Sequence, residues 1–165
     1  MAQEQEMPRD GFLSLFPVPE DTEGNGRFLG DLRDDEVRAV LSYTQARRYP
    51  RGEQAIRAGD RENGLFVITA GRFEVVKRTP YKASRTTVLQ AGEIFGVQSF
   101  LDHQPSSTNV RAVDDSEVVV LSPTGFDRLR LAQPQLALRL VLHLARIVSL
   151  RFRKHERSPT APGEL

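Results

Sequence analysis

The sequence contains no cysteine. This absence excludes disulfide bonds, thiolate metal sites and thiol nucleophiles, and it predicts a protein of the reducing cytoplasm. A long hydrophobic run is also missing, because the most apolar stretch, residues 136–150, is interrupted by Arg139, His143 and Arg146. We therefore expect no membrane insertion. The N-terminus, MAQEQEMPRD, is polar and acidic, which argues against a secretory signal.

Motifs for catalysis are lacking as well. The chain has no serine elbow flanked by glycines, no phosphate-cradling Gly-Lys-Ser/Thr loop and no dinucleotide-binding glycine triplet. Asp102 and His103 are adjacent, but two neighbouring residues do not make a metal site. We predict a non-enzyme with no catalytic residue and no metal.

Length favours one domain with a sizeable core. Residues 1–26 combine Pro, Gly and acidic residues, so we expect a flexible acidic leader. Its apolar patch, between Phe12 and Phe16, either docks on the domain, which we favour, or is read by a partner. The net charge of +1 gives no overall attraction to nucleic acid or membranes.

Hydrophobic periodicity then divides the chain into helical and extended parts. Residues 31–43 read as a helix capped by Asp31. Short apolar runs separated by turn residues follow, which favours an antiparallel barrel or sandwich. These predicted strands are residues 54–58, 64–69, 72–77, 86–89, 107–112 and 117–121.

The helical period returns after Pro123, with a short helix over residues 124–131 and a long one over 134–154. The long helix has two apolar stripes, and a surface helix needs only one. We expect one stripe to cover the barrel and the other to contact a second copy of the helix. The residues assigned to the dimer contact are Leu136, Leu140, Leu144 and Ile147, and the second stripe is Leu138, Val141, Leu142, Ala145, Val148 and Phe152.

Several motifs occur in an order that resembles the cyclic-nucleotide-binding domains of catabolite activator proteins and protein kinase A regulatory subunits. They are Gly52 with Ala55-Ile56 and Gly59-Asp60; Leu65–Ile68 with Gly71 and Phe73-Glu74-Val75; Val88-Leu89, Gly92 and Ile94-Phe95-Gly96; Val110-Arg111-Ala112; and Val118–Leu121. The resemblance covers residues 28–155 and implies an α+β fold. The implied fold is an eight-stranded antiparallel jelly-roll-like β-barrel with an N-terminal helix and two C-terminal helices. The expected divisions are residues 27–122 for the first helix and barrel, 123–155 for the C-terminal helices and 156–165 for a tail.

The resemblance also identifies residues 96–110 as the phosphate-binding cassette, the loop that holds the cyclic phosphate in this family. The ligand-binding positions that it implies are Gly96, Val97, Gln98, Ser99, Ser106, Ser107 and Thr108. The family has Glu, which binds the ribose hydroxyl, where this chain has Val97, and Arg, which binds the phosphate, where it has Ser106. A hydrogen bond to a charged group contributes about 1.5–3 kcal/mol, so losing both contacts would weaken binding by roughly 10² to 10⁴.

Three interpretations of this altered cassette remain open. The first, which we favour, is a barrel kept for packing and partner contacts whose ligand site has decayed. The second is a genuine sensor of cAMP, cGMP or a cyclic dinucleotide that uses a substitute arginine, such as Arg85, Arg111 or Arg72. The third is a different ligand in the same cavity. A cyclic nucleotide is thus the one cofactor that the resemblance implies, and the residues themselves specify no cofactor.

We therefore predict a stand-alone dimeric adaptor in bacterial-type signalling that acts on a protein partner. The family's activators place a helix-turn-helix after the long helix, but only residues 156–165 remain here, so we expect no direct DNA binding. The resemblance implies that Phe126, Leu129 and Leu131 form a unit that moves on ligand binding. The long helix ends in five basic residues, Arg146, Arg151, Arg153, Lys154 and Arg157. Their charges either stabilise the C-terminus of the helix and keep the protein in solution, or they bind an anionic partner.

Overall fold

The structure is a computed structural model and describes residues 32–79 and 82–156. The predicted leader and the end of the predicted tail lie outside the described residues. The elements are α1 (Asp34–Leu41), β1 (Gln45–Tyr49), β2 (Gln54–Ile56), β3 (Leu65–Ala70), β4 (Arg72–Thr79), β5 (Lys82–Gln90), β6 (Ile94–Phe95), α2 (Val97–Asp102), β7 (Thr108–Ala112), β8 (Ser116–Leu121), α3 (Pro123–Ala132) and α4 (Pro134–Glu156).

The eight strands form two antiparallel four-stranded sheets, in the orders β1-β8-β3-β6 and β2-β7-β4-β5. The predicted eight-stranded fold with flanking helices is therefore confirmed. Strand β1, with sequence QARRY, was not predicted because Tyr49 is its only fully buried residue. Strand β6 has two residues, too few to show a period.

Aromatic side chains fill the space between the two sheets. Phe66 stacks on Phe95 with ring centroids 4.7 Å apart, and Phe73 lies 5.0 Å from Phe95. Tyr49 meets Phe73 edge-on at 5.8 Å. These rings belong to one buried cluster with Ile56, Ile68, Leu89, Val110, Ala112, Val118 and Val120, which we call the inner cluster. It lines the space between the sheets with apolar groups.

A second buried cluster, the outer cluster, lies between the other face of the β1-β8-β3-β6 sheet and the helices. Leu65, Val67 and Val119 supply its sheet side. Its α4 residues are Leu136, Ala137, Leu140, Leu144 and Ile147. Strand β3 is buried on both faces because it borders both clusters, which explains its continuous apolar sequence.

The outer cluster corrects the predicted dimer residues. Leu136 and Ile147 are only 6% and 7% exposed, and Leu140 and Leu144 are fully buried in the chain's own core. A second copy therefore has no access to them. The exposed apolar side of α4 is the other stripe, in which Leu138, Leu142 and Phe152 are 54%, 55% and 63% exposed.

Local signals explain where the helices begin. Ser122 caps α3 by accepting a hydrogen bond from Gly125 N at 3.0 Å, and Pro123 occupies the first helical position. Helix α1 begins at Asp34, later than predicted, with Arg33 at the N-cap, and the expected cap Asp31 lies outside the described residues. Instead the Arg33 N–H donates to Glu36 Oε2 at 3.0 Å. Among the described residues, no helix is both long and apolar enough to cross a bilayer.

Candidate functional site: the cassette and its surroundings

The cassette begins at Gly96, which has φ of +80° and lies between β6 and α2. A Cβ atom at this position would lie 2.5 Å from the backbone oxygen of Gly64 and 3.1 Å from Phe66 Cδ2. Only glycine fits both this close approach and the left-handed backbone. The start of the cassette is therefore fixed by contact with the chain that leads into β3.

The first turn of the cassette is helix α2. The side chain of Val97 is 3% exposed and belongs to the outer cluster, together with Phe100. Phe100 meets Phe126 of α3 edge-on at 5.5 Å. Gln98 is exposed and Ser99 is buried. Position 97 therefore supplies packing to the helices and no oxygen acceptor for a ribose hydroxyl.

Ser106 marks the second half of the cassette, just before β7. Its backbone is held on both sides, because Ser106 N donates to Asp60 O at 2.9 Å and Gly59 N donates to Ser106 O at 2.8 Å. Its hydroxyl donates to Thr108 O at 3.1 Å and accepts from Thr108 N at 3.3 Å. Ser107 is exposed. The Ser106 hydroxyl is therefore bonded to Thr108, and positions 106–108 bring no positive charge.

Two of the three arginines proposed as substitutes are paired with acids. Arg72 binds both carboxylate oxygens of Asp114, with Nε–Oδ2 of 2.6 Å and Nη2–Oδ1 of 3.1 Å. This pair raises the pKa of Arg72 and lowers the pKa of Asp114. Arg111 Nε binds Glu74 Oε1 at 2.7 Å.

Strand register shows which face these arginines occupy. Arg111 is the cross-strand partner of Glu74, one position from the inward-facing pair Val75 and Val110. Since neighbouring residues of a strand point to opposite faces, the Arg111–Glu74 pair lies outside the barrel. The third candidate, Arg85, is the register partner of Lys77 in the β4–β5 hairpin.

The arginine that contacts the strand before the cassette comes from α4. Arg151 Nη2 donates to Ile94 O at 3.0 Å, two residues before Gly96. Arg151 is exposed as a residue, yet the surrounding protein withdraws its guanidinium from water enough to lower its pKa, an effect that the charge of Glu93 opposes. In the sequence, Arg151 is one of the basic residues at the end of the long helix, and its contact with the barrel was not predicted. Its spacing indicates the contact, because Arg151 follows Ile147 by four residues and so lies on the side of the helix that faces the barrel.

No group of three or more metal-binding side chains occurs within residues 32–79 and 82–156. His103 instead ends α2 in a left-handed conformation with φ of +57°, and its N–H donates to Ser99 O at 3.0 Å. Within this part of the chain, what the site offers is a preformed loop with hydroxyls and an arginine at its border.

Comparisons with known proteins agree with this architecture. The family model described as cyclic nucleotide-binding domain matches residues 46–133, more than half of the chain. The cyclic AMP receptor protein of Thermus thermophilus is 33% identical over 124 residues, which cover 74% of this chain and 57% of that protein. A cyclic nucleotide-binding domain from Methylobacillus flagellatus has a similar structure, with a TM-score of 0.77 and 28% identity over 95% of this chain and 86% of that one.

Glutaminase 2 of Bradyrhizobium diazoefficiens is 29% identical over 129 residues, which cover 78% of this chain but only 20% of that enzyme. The similarity is therefore to one part of a larger protein. The chain spans 57% of the receptor protein and a smaller share of the glutaminase. With its two four-stranded sheets, its cassette and a family match over more than half of its length, this chain belongs to the cyclic nucleotide-binding domain family.

Proposed function

We propose that this chain is a regulatory module of the cyclic nucleotide-binding domain family. In this proposal the chain binds cAMP and cGMP weakly, and it acts through a surface of α4. The observation that carries the proposal is the pair of replacements in the cassette. Val97 is packed among apolar side chains, and the Ser106 hydroxyl is bonded to the backbone of Thr108. Neither position offers a charged group to a cyclic nucleotide.

Electrostatics gives the size of the expected loss of affinity for a cyclic nucleotide. A cyclic phosphate carries one negative charge and loses hydration when it enters a barrel lined by apolar side chains. Arg72 and Arg111 are engaged with Asp114 and Glu74, so recruiting either one would expose an acid to the ligand. The loss of two charge-assisted contacts, about 1.5–3 kcal/mol each, would move a micromolar site to roughly 0.1 mM or weaker.

Isothermal titration calorimetry on the full chain tests this proposal. We expect no saturation by cAMP or cGMP at micromolar concentrations. Saturable binding of either nucleotide at low micromolar concentration contradicts the proposal directly. The same titration with cyclic di-GMP tests a second candidate function, a sensor of a more highly charged cyclic dinucleotide.

One observation favours that second candidate. Lys77 and Arg85 are register partners in the β4–β5 hairpin. Two cations directly opposite each other in antiparallel strands repel, and an anion between them would relieve the repulsion. Micromolar binding of cyclic di-GMP without binding of cAMP would favour the sensor over the weak-binding module.

The output surface that we propose is the exposed stripe of α4, through Leu138, Leu142 and Phe152. All three are more than half exposed, and they repeat at helical spacing on one side of α4. Such a row of large apolar side chains marks an interaction surface. We propose that a second copy of the chain covers it, and that the resulting dimer is presented to a protein partner.

A further inference from the structure

Among the polar contacts that hold α4 to the rest of the domain, two lie near its opposite ends. Arg139, in the second turn of α4, forms an ion pair with Glu36 of α1. Arg151, in the last part of α4, donates to Ile94 O of β6 at 3.0 Å. The buried stripe that includes Leu140 and Leu144 lies between these contacts. The two ends of α4 are therefore tied to different parts of the domain, and only the second one is next to the cassette.

The Arg151 contact reaches the edge of a sheet. Strand β6 is at the edge of the β1-β8-β3-β6 sheet and pairs with β3 through Phe95–Phe66 and Ile94–Val67. An edge strand has backbone groups on its outer side that need a partner. The guanidinium supplies one for Ile94, and Gly96, the first residue of the cassette, is two residues farther along.

We propose that Arg151 is a positioning residue that couples α4 to the cassette. By holding Ile94 O, it fixes the C-terminal part of α4 over the strand that leads into Gly96. A displacement of that strand thus changes the position of the helix whose opposite side forms the proposed output surface. The proposal rests on the proposed function, because it assigns a route from the cassette to that surface.

The helix also provides a matched control. Arg153 is two residues after Arg151, so it projects from α4 about 200° away, and it is exposed. Replacing Arg153 with Gln removes the same charge from the same helix without touching the contact to Ile94. Replacing Arg151 with Lys keeps a charged donor but loses the planar guanidinium.

Hydrogen–deuterium exchange on the full chain without ligand, read by mass spectrometry, tests the proposal. In R151Q we expect roughly tenfold faster exchange in peptides from residues 92–102 and from the end of α4, with β3 and β8 unchanged. R151K should be intermediate, and R153Q should match the unsubstituted chain.

Exchange in R151Q equal to that of the unsubstituted chain overturns the proposal. An equal acceleration in R153Q, or a uniform acceleration that includes β3 and β8, also overturns it, because charge loss or global destabilisation would then explain the effect. The experiment uses no nucleotide, so its outcome is separate from that of the calorimetric test. Tight cAMP binding would refute the proposed function and leave the coupling intact.

Discussion

Restoring a positive charge at position 106 tests the central physical argument about the cassette. The backbone of Ser106 is held by hydrogen bonds to Gly59 and Asp60 of 2.8 and 2.9 Å, so a new side chain starts from a fixed point. In Ser106→Arg we expect cAMP to bind roughly 10- to 100-fold more tightly, because a charge-assisted contact contributes about 1.5–3 kcal/mol. The loss of the hydroxyl bonds to Thr108 should cost about 1 kcal/mol of stability.

The assay is calorimetry with cAMP, paired with a urea unfolding curve for each protein. Ser107→Arg is the matched control, since Ser107 is the exposed neighbour and gains the same charge. Unchanged affinity in Ser106→Arg would refute the reasoning, and so would an equal gain in Ser107→Arg. Unchanged affinity would mean that the phosphate does not approach position 106. An equal gain would mean that the added charge attracts the nucleotide without a specific contact.

The remaining predictions concern α4 and its contacts. The double substitution Leu138→Gln and Leu142→Gln should raise the dimer dissociation constant at least about 100-fold in sedimentation velocity. The dimer would bury four of these half-exposed leucine side chains, two from each copy, at about 1 kcal/mol each. An unchanged dissociation constant would rule out this interface. Leu140→Ala should lower the free energy of unfolding by about 2–5 kcal/mol in urea, since Leu140 is fully buried, and a loss well under 1 kcal/mol would contradict the core assignment. Hydrogen bonding from Arg33 N–H, together with the charge of Arg139, lowers the pKa of Glu36 in the folded protein. The Glu36 carboxylate therefore stabilises the fold above the pKa that Glu36 has in the unfolded chain, and this stabilisation is lost as pH falls through its pKa in the folded protein. Glu36→Gln should therefore lower stability at pH 7 and flatten the acid limb of the stability curve, and an identical acid limb would count against the ion pair.

Periodicity in the sequence was sufficient to find the strands that border a buried cluster. Leu65–Ile68 and Val118–Leu121 are apolar on both faces because the inner and outer clusters lie on either side of them. Strand β1 escaped prediction because it pairs with β8 through its backbone while most of its side chains face water. Pairing of this kind depends on the neighbouring strand and leaves no pattern in the segment itself.

The two stripes of α4 show a different limit. Both stripes are apolar, so composition cannot tell which one the sheet covers. The buried one packs in the outer cluster with Val67 and Val119 of the sheet, so contacts between distant parts of the chain decide the choice. The same contact brings Arg151 to Ile94, a meeting of residues 57 positions apart. Long-range pairs like this one follow from the assembled fold and not from local spacing.

The meeting of Gly96 with the Gly64 carbonyl has a consequence for how this site can change. The path of the loop is set by main chain resting on main chain, and the side chains at positions 97 and 106 take no part in that contact. The side chain at position 106, which is only partly buried, can therefore be exchanged while the backbone around it keeps its path. A domain built in this way can lose one chemical specificity and acquire another by single substitutions, without passing through an unfolded intermediate form.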